Sequence, residues 1–183
     1  MIWVGIIVIA VIGTLLHFVY EWSGHNKTVA IFAAVNESTW EHIKICMTPT
    51  ILWSLYDGYQ NGLVDNYFIG KSMCLLTIIL LIPALFYLYT AFTKKSILWV
   101  DCICFYFVII VSQQIFHYFL QIDTLPFIYH YFSVILLFIE IGMYFYFTFQ
   151  PIKNFIFEDP INHKYGLAGH THHHHNDHEH KHK

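Results

Sequence analysis

The chain has 183 residues, of which 57% are hydrophobic, 19% are aromatic and only 11% are charged, and its formal net charge is -3. A soluble domain carries about 25% charged residues, so this composition excludes an ordinary water-exposed surface. All the basic residues are lysines and they form no basic stripe, so nucleic acid is not an expected partner. The expected partner is the lipid bilayer.

Several apolar runs are long and uninterrupted, as expected for helices that cross a hydrocarbon layer in roughly 20 residues. Strands of a membrane barrel would instead alternate apolar and polar residues. We therefore predict an all-α, polytopic transmembrane helical bundle of about five spans. The predicted membrane domain covers residues 1–152, with spans at about 2–22, 37–59, 67–92, 97–121 and 127–149.

The first apolar run, 2–22, has a secretory signal peptide as its competing interpretation. A signal peptide needs a positively charged start, and MIWVG has none, so we predict a retained helix. Residues 29–35 are apolar but too short to span, so they are expected to lie at the interface or to re-enter the membrane. Asn36 is predicted to be the N-cap of the second helix.

Lysine placement predicts the orientation of the spans. Lys94 and Lys95 place the loop between the third and fourth spans in the cytoplasm, which puts the N-terminus outside and the C-terminus inside. Residues 153–169 are then a cytoplasmic C-terminal segment. Lys71 is the exception to the pattern, and it is expected to snorkel from a helix end towards water.

The first candidate site lies around the first two helices. His17 and Glu21 are four residues apart and share one helix face, and Glu37 and Glu41 repeat this spacing. We expect both pairs to meet at the cytoplasmic membrane boundary. The predicted polar cluster consists of His17, Glu21, Asn36, Glu37, Trp40, Glu41 and His42.

Three roles stay open for this cluster. His17, Glu21, Glu41 and His42 have the ligand types for a divalent metal such as zinc or nickel. The same groups could relay protons, since ionisable residues in membrane segments usually face the bundle interior. Alternatively, Glu21 and Glu41 lock the structure by pairing with lysine or histidine. No fixed metal motif of the HExxH type is present.

A second candidate set lies on the later helices. Asp101 is close to the start of the fourth span, where a solvated or capping acid is expected. Gln113 and His117 are four residues apart and are expected to form hydrogen bonds between helices. Glu140 lies near the middle of the fifth span, where a carboxylate needs a partner or a proton.

The tail from residue 170 to 183 is predicted to be disordered, because it has almost no apolar residues. Its imidazoles bind zinc, nickel and copper readily, so a metal-collecting arm and adventitious metal binding are both open. The tail histidines are His170, His172, His173, His174, His175, His178, His180 and His182.

Two stretches resemble the signature of an uncharacterised bacterial family of small integral membrane proteins. The first is similar to L-H-F-x-Y-E-W-S-G-x-N followed by V-N-E-S-x-W-E-H-L-K and a proline. The matching residues are Leu16, His17, Phe18, Tyr20, Glu21, Trp22, Ser23, Gly24, Asn26, Val35, Asn36, Glu37, Ser38, Trp40, Glu41, His42, Lys44 and Pro49. The second, FEDPINHKYGL at 157–167, is similar to the closing F-x-D-P-x-x-x-x-Y-G. The resemblance implies a multi-pass protein of the bacterial plasma (inner) membrane and supplies no activity.

The function therefore stays unassigned, with a lean towards transport or metal-ion handling through the cytoplasmic His and Glu residues. Five spans is small for a transporter, so transport would favour a homo-oligomer. The alternatives are a membrane-embedded enzyme acting on a lipid or small substrate, with a glutamate as general base, and a non-catalytic membrane subunit.

Overall fold

The computed structural model describes residues 2–170, which form five long helices. The helices are α1 (Ile2–Trp22), α2 (Thr39–Asn61), α3 (Tyr67–Thr93), α4 (Leu98–Gln121) and α5 (Phe127–Phe149). Short 3-10 helices occur at Val29–Ile31 and Gly166–His170. Across residues 2–170 the only β pairing is an isolated bridge between Glu158 and Tyr165. The predicted all-α helical bundle is confirmed.

Four of the five helices, α1, α3, α4 and α5, are long and apolar enough to cross a membrane. α2 is of similar length but is more polar, and its charged residues Glu41, Lys44 and Asp57 are buried among its neighbours. A charged side chain is costly in lipid, so shielding by the other helices is what allows such a sequence inside a membrane bundle.

The core is built around the first half of α2. Ile43 and Met47 are almost fully buried there, against Ile9 of α1, Ile78 of α3 and Ile109 of α4. By contrast, the outward faces of the other helices expose large apolar side chains. Among the most exposed are Phe92, Leu98, Phe127 and Phe138. Apolar exposure on this scale is unfavourable in water and fits a lipid-facing surface.

The N-cap of α2 is Ser38, so the prediction of Asn36 in that position is wrong. The Ser38 hydroxyl accepts a hydrogen bond from the backbone N–H of Glu41 (3.4 Å), as an N-cap does. The Asn36 side chain is used earlier in the turn, where its Oδ1 accepts from the Ser38 N–H (2.9 Å). Asn36 therefore shapes the turn that precedes the helix.

α1 and α2 approach most closely where Gly13 faces the backbone of Ile45. A Cβ on Gly13 would lie 2.9 Å from the Ile45 carbonyl oxygen and 2.8 Å from Cζ of Phe105. The Ile45 carbonyl would normally accept from the N–H four residues on, but that residue is Pro49, which has none. The absence of a side chain at Gly13 thus lets α1 pack against a carbonyl that the proline has left free.

We predict that Gly13→Ala destabilises the bundle by about 1–3 kcal/mol, because neither the Ile45 backbone nor the partly buried Phe105 ring can move freely away. The matched control is Gly142→Ala on α5, where an added Cβ meets nothing within 4 Å. That variant is expected to be neutral or more stable by up to about 1 kcal/mol through helix propensity. Unfolding followed by circular dichroism in mixed micelles measures both, and equal stability of the two variants would contradict the close approach.

Candidate functional site

The connection between α1 and α2 folds back onto α1 and brings residues 35–38 close to it. The backbone N–H of Ala34 donates to the carbonyl of Leu16 (3.1 Å). Ala30 and Ala33 pack into a small buried cluster with Tyr20. This segment, predicted to lie at the interface or to re-enter, therefore forms a packed layer between α1, α2 and α5.

Three of the predicted site residues converge at the edge of this layer. Nε2 of His17 lies 3.5 Å from Oε1 of Glu37, and Nε2 of His42 lies 3.9 Å from Oε2 of the same carboxylate. The two imidazole rings are 5.7 Å apart between centroids. The side chains are 25%, 44% and 27% exposed for His17, Glu37 and His42, so the group is open to solvent. We call these three residues the His–Glu–His group.

Glu41 does not join that group and instead forms a buried ion pair with Lys44. Nζ of Lys44 is 2.6 Å from Oε2 of Glu41, and both side chains are almost fully buried. The same carboxylate oxygen accepts from the Val35 N–H (3.0 Å), and Nζ also donates to the Ala30 carbonyl (2.8 Å). The pair therefore fastens the folded-back segment to α2. The predicted single cluster is thus two separate groups.

Glu21 and Trp40 also lie outside the His–Glu–His group. Glu21 is exposed, and within residues 2–170 no hydrogen bond or ion pair links its carboxylate to the other predicted ligands. The indole of Trp40 packs edge-on to Phe147 (5.3 Å between centroids) and tilted against Phe157 (5.1 Å). Trp40 thus joins the start of α2 to the end of α5 and to the C-terminal segment.

The two stretches that carry the family resemblance contact each other. Nδ2 of Asn36 donates to the carbonyl of Gly166 (3.0 Å), and the backbone N–H of Trp40 donates to the carbonyl of Ile156 (2.9 Å). Residues more than a hundred positions apart therefore build one surface. Neither periodicity nor spacing could have predicted this contact, because both describe only neighbours along the chain.

Across residues 2–170, no three or more His, Cys, Asp or Glu side chains are grouped in a way that could hold a metal ion. The predicted ligands His17 and His42 face Glu37, whereas Glu41 pairs with Lys44. The His170 side chain and residues 171–183 lie outside the described part of the chain. The metal-collecting arm therefore stays a prediction.

The second candidate set is dispersed over three places. Asp101 accepts hydrogen bonds from the Tyr89 hydroxyl and from the Ser96 hydroxyl (2.6 Å), close to the start of α4. Gln113 is buried and its Nε2 donates to Sγ of Cys74 on α3 (3.3 Å). His117 contacts Gln121 on its own helix, with 3.1 Å between the two Nε2 atoms.

Glu140 is buried between helices and both its carboxylate oxygens lack a hydrogen-bond partner among residues 2–170. One helical turn later on α5, the Tyr144 hydroxyl contacts Oγ1 of Thr48 (2.8 Å) and donates to the Ile31 carbonyl (2.8 Å). Glu140 is recognisable as a candidate from the sequence, whereas Tyr144 and Thr48 are not, because neither residue type is unusual in an apolar helix.

A second buried ion pair was also missed. Lys71 was expected to snorkel, but its side chain is 3% exposed and its Nζ lies 3.4 Å from Oδ2 of Asp57. The same Nζ is 3.4 Å from the centroid of the Phe116 ring, a cation–π contact. The snorkelling prediction is wrong because Asp57 of α2 and Phe116 of α4 supply partners for the Lys71 ammonium inside the bundle.

The C-terminal segment has a contact of its own between an acid and an imidazole. Oε1 of Glu158 lies 2.7 Å from Nδ1 of His163, and Oε2 accepts from the Tyr165 hydroxyl (3.1 Å). Hydrogen bonds from His163 and then from Tyr165 lower the pKa of Glu158, because both stabilise its ionised form. Because these contacts favour the ionised form, they stabilise the folded segment at pH values above the ordinary pKa of a carboxyl group. This contribution is lost as the pH falls through the lowered pKa.

We predict that Tyr165→Phe raises the pKa of Glu158 towards its ordinary value of about 4.3. The segment 150–170 should then lose amide protection at a higher pH than in the wild type as the sample is acidified. Hydrogen exchange by mass spectrometry from neutral pH to pH 3 measures this. Tyr129→Phe on the exposed face of α5 is the control, and an unshifted midpoint in Tyr165→Phe would contradict the assignment.

Comparison with known proteins gives one match. No curated protein and no solved structure matches the chain. A family model does match, over residues 1–167, and it therefore covers all five helices together with the folded C-terminal segment. The chain belongs to the family of unknown function DUF6512.

Proposed function

We propose that the protein is a multi-pass membrane transporter that carries a proton, with Glu140 as the residue that binds it. The observation that carries this proposal is that Glu140 is 2% exposed and has no hydrogen-bond partner for either carboxylate oxygen among residues 2–170. An unpaired carboxylate is far more costly to bury than a carboxylic acid. Glu140 therefore keeps a proton until water or another group reaches it.

Polar groups lie between Glu140 and the folded-back segment, on the proposed cytoplasmic side. Tyr144 is on the same face of α5, and its hydroxyl contacts Thr48 and the Ile31 carbonyl. Thr48 Oγ1 also donates to the carbonyl of Lys44 (2.9 Å). These hydroxyls extend from the middle of the bundle to the folded-back segment held by the Glu41–Lys44 pair.

Other polar groups lie on the proposed outer side of Glu140. Cys74 accepts from Gln113, and a charge on Glu140 would act electrostatically on Cys74. One turn earlier on α3, Lys71 pairs with Asp57. No described hydrogen bond connects Glu140 to either side, so the proposal requires a side-chain movement or the entry of water at Glu140. Alternating connection to the two sides is what a transporter needs.

The proposed setting is a bacterial plasma membrane, with the N-terminus outside and the C-terminus in the cytoplasm. Lys94 and Lys95, in the connection between α3 and α4, support this orientation. The His–Glu–His group, which is partly exposed, then lies at the cytoplasmic boundary. The small number of helices favours a homo-oligomer as the transporting unit.

Metal-ion handling is the second candidate function. Its support is that two imidazole nitrogens face one carboxylate, at 3.5 and 3.9 Å. Because these three side chains are not arranged to hold an ion as they stand within residues 2–170, binding of zinc or a similar ion would require them to reorient and would need a further ligand from solvent. Elemental analysis of purified protein lacking residues 170–183 tests it, and protein without bound metal after loading would rule it out. An enzyme with Glu37 as general base stays a further prediction of the sequence.

We predict that protein reconstituted in vesicles containing a pH-sensitive dye acidifies or alkalinises the lumen when a potassium diffusion potential is imposed. Glu140→Gln should lower the initial rate at least about tenfold, because an amide of the same shape cannot bind and release a proton. Asp123→Asn, an exposed acid in the loop between α4 and α5, is the matched control and should keep the wild-type rate.

Size-exclusion profiles of all three proteins establish that the variants are folded. Equal rates for the wild type and Glu140→Gln would overturn the role of Glu140. A wild-type rate no greater than that of empty vesicles, at any imposed potential or proton gradient, would overturn proton transport itself.

A further inference from the structure

A cavity of about 160 Å³ lies between the folded-back segment, the start of α2, the end of α5 and the C-terminal segment. Its walls are largely apolar and aromatic, formed by Ile31, Phe147, Phe157 and Leu167. A cavity of about 150 Å³ is large enough to bind benzene. The space therefore suits a ligand with one ring or a short alkyl chain.

One of the residues that line the cavity also carries a donor for which residues 2–170 provide no acceptor. Trp40 lines it, is 4% exposed, and its Nε1–H is buried without an acceptor within residues 2–170. An unpaired buried donor is unfavourable, and native structures usually supply an acceptor for it. An acceptor atom on a bound ligand would supply one here.

The charges around the cavity favour an anion. Glu41 and Lys44 line it, but they neutralise each other through their 2.6 Å ion pair. Lys27 also lines the cavity and is exposed, so it leaves a net positive charge at the rim. A ligand that carries a carboxylate therefore matches both the indole donor and this lysine.

We propose that this cavity is a binding site for a small carboxylic acid with a single aromatic ring or a short alkyl chain. The carboxylate accepts from Nε1 of Trp40 and is attracted by Lys27, while the apolar part packs against the phenylalanines. The site is separate from Glu140, so it does not depend on the proposed proton transport. Its position next to the Glu41–Lys44 pair would let a ligand stabilise the folded-back segment.

Benzoate is the test ligand, added to the full chain in detergent, with saturation-transfer NMR and thermal unfolding as readouts and empty micelles as the blank. We expect saturable binding by the wild type and a higher Tm in its presence. Trp40→Phe keeps a packing ring but removes the donor, so affinity should fall about tenfold, the effect of one charge-assisted hydrogen bond. Lys27→Met should also weaken binding.

Two controls make the test specific. Lys94→Met removes a lysine from a distant loop and should bind benzoate as the wild type does, as should Glu140→Gln. Toluene and benzyl alcohol match the ring without the carboxylate and should bind at least about tenfold more weakly, since they lack the charge-assisted contact. Absence of saturable benzoate binding, equal binding by Trp40→Phe, or equal binding of toluene would each overturn the proposal.

Discussion

The buried ion pair between Glu41 and Lys44 is the interaction on which this structure most depends. Each charge has two partners, because Glu41 also accepts from the Val35 N–H and Lys44 also donates to the Ala30 carbonyl. Removing one member would leave the other charge buried and unpaired, at a cost of about 3–5 kcal/mol. The pair thus holds a short apolar segment that has too few residues to span a membrane against the most buried helix of the bundle.

Several features follow from the position of that segment. It places Glu37 beside His17 and His42, it presents the Ile31 carbonyl to Tyr144, and it forms one wall of the cavity next to Trp40. The C-terminal segment closes the other side of the cavity through the hydrogen bond from Asn36 to Gly166. The polar residues near the start of the chain therefore have three different positions. Some form the buried Glu41–Lys44 pair, some form the solvent-exposed His–Glu–His group, and others line the cavity.

The sequence was sufficient for the helical bundle because apolar runs of spanning length leave little choice of secondary structure in lipid. The sequence also identified Glu140 as a candidate functional residue, because an acidic residue is unusual in the middle of an apolar helix. Pairing of Glu41 with a lysine was one of the alternatives, and Lys44, three residues along the helix, forms that pair, which removes Glu41 from the predicted cluster. The sequence failed where partners come from distant residues. Asn36 is of a residue type that is common at N-caps, yet Ser38 is the N-cap of α2, and Asn36 instead contacts Gly166. Trp40 and the cavity depend on Phe157 and Leu167, which no local pattern relates to α2.

The most direct test of this account is hydrogen exchange of the segment 29–35 in a Lys44→Met variant, measured by mass spectrometry in detergent. The account predicts that these amides, protected in the wild type, exchange far faster in Lys44→Met, while amides in the middle of α3 and α4 keep their protection. Lys94→Met, which removes a lysine from an exposed loop, should match the wild type throughout. Unchanged protection of 29–35 in Lys44→Met would contradict the claim that the ion pair holds this segment in place.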